Sequence, residues 1–170
     1  MKGKAKIILL IILVTVIVFL VLKEGFGESY AQYTMRSFFE SIYNLKSSDN
    51  ASASEWEDIL NFVDVQTDLL CSSAMKETFL HNYLHILNMA YMKSLEITVK
   101  DIRIIEIFRE KGETTYKFLV TLSVTNSKTQ KQTTLLNEGE IHLKQAFLNY
   151  TIVDLEMEED QLKAYVFSVE

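Results

Sequence analysis

The 170-residue chain has no proline, one cysteine and five glycines. A single thiol cannot form an internal disulfide, so no covalent staple is available, and Cys71 is expected to be a small buried hydrophobe. No CxxC pair, glycine-rich phosphate loop or nucleophile elbow occurs, which removes redox, nucleotide-binding and serine-hydrolase readings. The missing proline, together with abundant Lys, Ile and Asn, fits an AT-rich coding bias, that of a low-GC bacterium as well as of other sources. Basic charge is scarce in most of the chain. Four of the seventeen basic residues and none of the twenty-three acidic ones lie in residues 1–23, which leaves residues 24–170 with a net charge of −10. A domain so acidic repels a phosphate backbone, and a nucleic-acid partner is excluded.

The most distinctive stretch is the uncharged run Ile7 to Leu22, aliphatic or Phe at every position except Thr15. As a helix it spans roughly 24 Å, slightly less than a ~30 Å hydrocarbon core. Lys6 and Lys23 flank it, and their methylene stems can lie along acyl chains while the ammonium groups reach headgroups. Such a run is expected to be a membrane anchor, with Lys6, Ile7, Leu9, Ile12, Val16, Phe19, Leu22 and Lys23 along it. A cleaved signal peptide is the competing reading. Its small-x-small sites are poor at Gly25-Phe26-Gly27 and distant at Ser29-Tyr30-Ala31, so a retained anchor is favoured. A lipoprotein would need a cysteine directly after the run. Lys2, Lys4 and Lys6 precede the span, whereas Glu24 and Glu28 follow it, so the tail should be cytoplasmic and the body outside. The division is then a basic tail at 1–6, an anchor at 7–23 and an extracytoplasmic domain at 24–170.

The domain reads as helices first and strands afterwards. Tyr30, Tyr33, Phe38, Ile42 and Leu45 recur at helical spacing, and a small polar linker, SSDNASAS, follows at 47–54. Ser54 and Glu57 form a capping box before Trp56, Ile59, Leu60 and Val63. A third helix is expected from Ser73 to Lys93. After Leu95 the period becomes two. Ile102 and Ile104 give way to Ile105 and Ile107, a phase change that predicts a bulge. Tyr116, Phe118, Val120, Leu122 and Val124 alternate with polar residues, as in a strand with one buried face. REKGE (109–113) and NSKTQKQ (126–132) are turns. Gly139 inside a strand marks a bulge or close backbone approach. NYTIVDLEM closes the set, and LKAYVFSV is expected to add an edge strand. The class is α+β.

Gly139, Ile141 and Leu143 in one strand, with Tyr150 and Ile152 in the next, carry a resemblance. This order of helices and a curved four-stranded meander resembles the nuclear transport factor 2-like superfamily. Tyr150 stands where Trp is usual, and the turn QAFLN lacks the customary Asp-Gly or Asn-Gly. The resemblance implies an open cone of sheet wrapped round a helix. Anchored members resemble bitopic subunits of conjugative type IV secretion channels and small extracytoplasmic proteins of Gram-positive bacteria. These imply a domain that packs against itself or other envelope proteins beside the lipid bilayer.

Superfamily enzymes imply a different use, an Asp or His base in the cone with a Tyr at the developing oxyanion. Tyr83, Tyr91 and Tyr116 are the candidates to line such a pocket, while Asp101 and Asp154 read as solvated. A small-ligand binder or isomerase-like enzyme is therefore carried as the alternative. His81 and His85 stand at i and i+4, but Asn82 occupies the position of a metalloprotease base and His142 lies on a distant strand. No catalytic residue, metal ligand or cofactor is assigned. The matches to Asn-x-Ser/Thr at Asn50 and Asn149 have meaning only in a eukaryotic secretory path. The aromatic helix YAQYTMRSFFESIY is the candidate interaction face, through Tyr30, Tyr33 and Phe38.

Overall fold

The computed structural model describes residues 30–46, 53–146 and 149–169. The tail and anchor expected at 1–23, most of the 47–54 linker and part of the QAFLN turn lie outside the described residues. Among the described residues, no helix is long and apolar enough to cross a membrane.

Helix α1 covers 30–43, followed by α2 (Ala53–Leu70) and α3 (Ser73–Met92). Four strands come next: β1 (Leu95–Glu110), β2 (Glu113–Asn126), β3 (Gln132–Ala146) and β4 (Asn149–Asp160). Helix α4 (Gln161–Ser168) closes the chain. The strands form one antiparallel meander in the order β1-β2-β3-β4. The helices-then-meander order implied by the resemblance is present.

In α1, Ala31, Met35, Phe38, Phe39 and Ile42 are buried at helical spacing. Phe39 meets Phe118 of β2 with ring centroids 4.6 Å apart, and Phe38 meets Phe79 of α3 at 5.4 Å. The helix is thus held between the sheet and α3. Along β2, Tyr116, Phe118, Val120, Leu122 and Val124 all point inward, as their alternation predicts. Ser72 caps α3 by accepting from the Met75 amide at 3.2 Å. Lys76 joins α2 to α3 through Asp64 (2.8 Å) and Asp68 (2.7 Å), and these two hydrogen-bonded carboxylates raise its pKa.

Three local expectations are corrected. LKAYVFSV is a helix rather than an edge strand, because Asp160 caps its first turn and Leu162 and Val166 bury one face at i and i+4. Ser54 is not a cap, since the helix already runs at Ala53. No bulge separates Ile104 from Ile105, whose partners Phe118 and Lys117 are consecutive; the irregularities fall between Val99 and Asp101 and between Glu106 and Phe108. Ile102 and Ile104 therefore face inward, whereas Ile105 faces out.

Both turns between β1, β2 and β3 are where the sequence places them. Lys111 (φ 47°) and Gly112 (φ 85°) form the two-residue β1-β2 turn, whose twist needs positive φ at both positions. At Gly139, β3 slips by one residue against β4, and an added Cβ would stand 2.0 Å from the Glu156 carbonyl oxygen. Because that obstacle is backbone, Gly139→Ala should destabilise the domain by ~1–3 kcal/mol or more. A urea unfolding midpoint unchanged from the parent protein would refute the close-approach reading.

Candidate functional site

A polar knot assembled from five elements ties the helices to the sheet. The fully buried Asn137 on β3 donates through Nδ2 to the Tyr43 hydroxyl of α1 (3.1 Å) and to Asp160 Oδ1 at the β4-α4 junction (3.1 Å). Its Oδ1 accepts from the Leu162 amide at 3.1 Å. Asp160 Oδ1 also accepts from the Lys163 amide (2.9 Å), and Oδ2 accepts from the Tyr83 hydroxyl of α3 (2.8 Å). Burial, and then the nearby Asp160 carboxylate, raises the Tyr43 pKa; burial, and then the neighbouring Tyr43 and Asp160, raises that of Tyr83. Both phenols stay protonated at neutral pH. Three of the roughly four acceptor positions of the Asp160 carboxylate are thus taken inside the protein, and the Tyr83 proton is directed at one of its oxygens.

The three candidate pocket tyrosines do not converge. Tyr83 borders a groove of about 290 Å³ between α3 and β4, lined by Met75, Phe79, Val153 and Leu155 with Asn82 and Asp154 at the rim. Tyr91 points to α2, donating to Glu55 at 3.0 Å with its ring 5.4 Å from Trp56. Tyr116 is buried under the Arg109–Glu106 ion pair, and its hydroxyl makes no hydrogen bond of good geometry. Burial, then Glu106 and Tyr150, pushes its pKa up to about 12, partly offset by Arg109. The groove is at or below the small end of ordinary ligand sites and is open along its length.

The remaining candidates disperse over the surface. Asp101 pairs with Arg103 at 3.0 Å, and Asp154 accepts from the Leu155 amide at 2.9 Å. His81 and His85 are exposed on α3, with His85 6.0 Å from the Phe167 ring. Of the proposed interaction face, Tyr30 and Tyr33 are exposed and Phe38 is entirely core. Cross-strand register also groups residues that linear spacing does not. His142 lies opposite Asp154, and with Glu156 their donor atoms come within 4.8 Å of one another, while Thr115 Oγ1 contacts His142 Nδ1 at 3.0 Å. Both carboxylates are exposed on an acidic outer face, and His142 is half-buried. A second cluster was hidden by the misplaced bulge: Ile105, Ile107 and Phe108 stand exposed on edge strand β1.

No protein-family model and no curated protein matches the chain by sequence. By structure, it is similar to TraH, described as a transfer protein of the Gram-positive conjugative plasmid pIP501. The TM-score is 0.52 at 11% identity, covering 78% of this chain and 94% of that one. It is also similar to CagV, a VirB8 homologue of the type IV secretion system of Helicobacter pylori, with a TM-score of 0.45 at 12% identity over 74% and 93% of the two chains. At these identities the TraH likeness is one of fold.

Two outcomes follow from the buried groups. Asn137→Leu leaves the Tyr43 hydroxyl and Leu162 amide without their partner, and should cost about 1–3 kcal/mol for each, measured by urea unfolding; a near-neutral result would mean the knot contributes little. The pH dependence follows from the raised values. Burial moves Cys71 from 9.0 up to about 12, and Tyr116 moves from 10.0 to about 12. Their contribution is complete below their unfolded values and disappears as pH rises through the folded ones. The urea midpoint should therefore fall between about pH 9 and 12, and Cys71 should resist a thiol reagent at pH 8 until the chain unfolds. Rapid reaction of Cys71 in the folded protein would contradict the burial.

Proposed function

We propose that this chain is a single-pass membrane protein whose α+β domain faces away from the cytoplasm and acts in assembly, as a subunit of a cell-envelope complex of the conjugative secretion kind. The observation that carries this reading is the packed interior: side chains fill the space between helices and sheet, and the polar knot among them is engaged in internal hydrogen bonds. What the domain offers instead is surface. The edge of β1 presents Ile105 at 65% and Phe108 at 58% exposure, and large apolar groups on an exposed strand edge mark sites of association. The fold shared with TraH supports the same class of role, and the lysine-flanked run from Ile7 to Leu22 supports the anchor. Partners are then the bilayer and other envelope proteins or further copies of the chain.

Chemical crosslinking of the full-length protein in its native membrane, compared with a chain beginning at Glu28, tests the proposal. Defined partners or a self-ladder that require the anchor are expected. A lone monomer in both forms would overturn the assembly role and return attention to the groove beside Tyr83.

A further inference from the structure

Helix α1 has a fixed direction along the edge of β1. Leu45, just past its end, bridges Ile97; the Asn44 side chain accepts from the Val99 amide at 3.0 Å; and Arg36 donates to the Ile102 carbonyl at 3.0 Å. Each step back toward the helix N-terminus is thus a step along β1 toward the β1-β2 turn. From Arg36 to Tyr30 the helix rises about 9 Å, which brings Tyr30 level with a point near Ile105, about three strand residues past Ile102. Among the described residues, no backbone hydrogen bond from outside the sheet reaches the β1 edge beyond Ile102. There Ile105, Ile107 and Phe108 are exposed, as are Tyr30 and Tyr33 at the start of α1.

The sequence limits where this end can be. Seven residues, 23–29, separate Leu22 at the end of the apolar run from Tyr30, and fully extended they reach at most about 25 Å. The opposite end, at the β2-β3 turn, lies a further ~45 Å away along the 14-residue β2. Charge points the same way. At the β1-β2 end each ionic group has a partner: Arg109 with Glu106 (2.6 Å), Lys111 with Glu110 (3.3 Å) and Lys144 with Glu113 (3.7 Å). The tip formed by that turn is neutral; Asp154 and Glu156 share the cross-strand rows of Phe108 and Ile105 but stand three strands across the sheet, on β4. An acidic domain approaches an anionic headgroup layer only through a neutral or basic surface.

We propose that this end of the domain rests on the membrane, with Ile105, Ile107 and Phe108 seated among lipid headgroups and Tyr30 and Tyr33 beside them. The inference rests on the anchored reading and adds to it a definite orientation. The bulge between Glu106 and Phe108 then has a purpose: it turns Ile107 out of register so that three successive large apolar groups crowd a short segment. Aromatic and aliphatic side chains of this kind sit in the headgroup region at both faces of a bilayer, and Lys111 at the turn can lay its stem along them.

The buried Cys71 permits a direct test, since new surface thiols can be labelled beside it. Phe108→Cys and Lys128→Cys variants of the full chain, each carrying an environment-sensitive fluorophore, are reconstituted in phosphatidylcholine vesicles with and without nitroxide-bearing lipid. Insertion by ~5–10 Å, the depth of an interfacial apolar face, should give several-fold stronger quenching at position 108 than at position 128. Adding Ile105→Ser and Ile107→Ser should reduce the quenching at 108 to the level at 128. A chain that floats with vesicles yet shows equal quenching at both positions overturns the docking and leaves the anchor standing. A chain that does not float overturns both. A label at 108 that is shielded from lipid and crosslinks to the same site on a second copy overturns the lipid contact in favour of strand pairing between copies.

Discussion

The amide of Asn137 is the constraint on which the domain's assembly depends. Three of its hydrogen-bonding positions are used, by Tyr43, by Asp160 and by the Leu162 amide, and none is reachable by water. A buried group left unpaired costs about 1–3 kcal/mol, a large fraction of the 5–15 kcal/mol by which a domain is stable. The position of one side chain on β3 therefore dictates where α1 ends, where β4 stops and where α4 begins. Asp160 extends the same constraint to α3 through Tyr83. Gly139, two residues along β3, lets β4 approach closely enough for its end to reach the knot.

With the space between helices and sheet packed, the domain presents mainly its surface. The space between α1 and the sheet holds Phe39, Tyr43, Phe118 and the knot, and the Asp160 carboxylate caps α4. The groove between α3 and β4 has a volume of about 290 Å³, and the Tyr83 hydroxyl beside it already donates to Asp160. The surface has two contrasting regions, an acidic outer sheet face that repels anions and an apolar strand edge with neutralised charges.

How much of this the sequence discloses depends on whether the signal is periodic. Strand β2, with one face buried and one in water, is plain from its alternation, and both turns are plain from their residues. Tyr83 is visible as a half-polar group on an apolar helix face, but its partner Asp160 is 77 residues away and nothing local announces it. Helix α4 is missed because LKAYVFSV alternates well enough to pass for a strand; Asp160 before it, with Leu162, Tyr165 and Val166 at i, i+3 and i+4, is the signal that identifies it. Ile105 and Ile107 are misread because apolar residues in a strand are presumed to face a core. The grouping of His142, Asp154 and Glu156 arises purely from register.

The knot also sets an order of completion. Tyr43 and Asn137 are 94 residues apart, Tyr83 and Asp160 are 77 apart, and Arg36 reaches Ile102 across 66. The meander pairs each strand with the next, so the sheet can grow as it is synthesised, but α1 has no finished surface to close upon until β3 and the start of α4 have appeared. Phe38 can meet Phe79 once α3 has formed and Phe39 waits only for Phe118 of β2, so the end of α1 at Tyr43, where the knot forms, is the last part to be sealed.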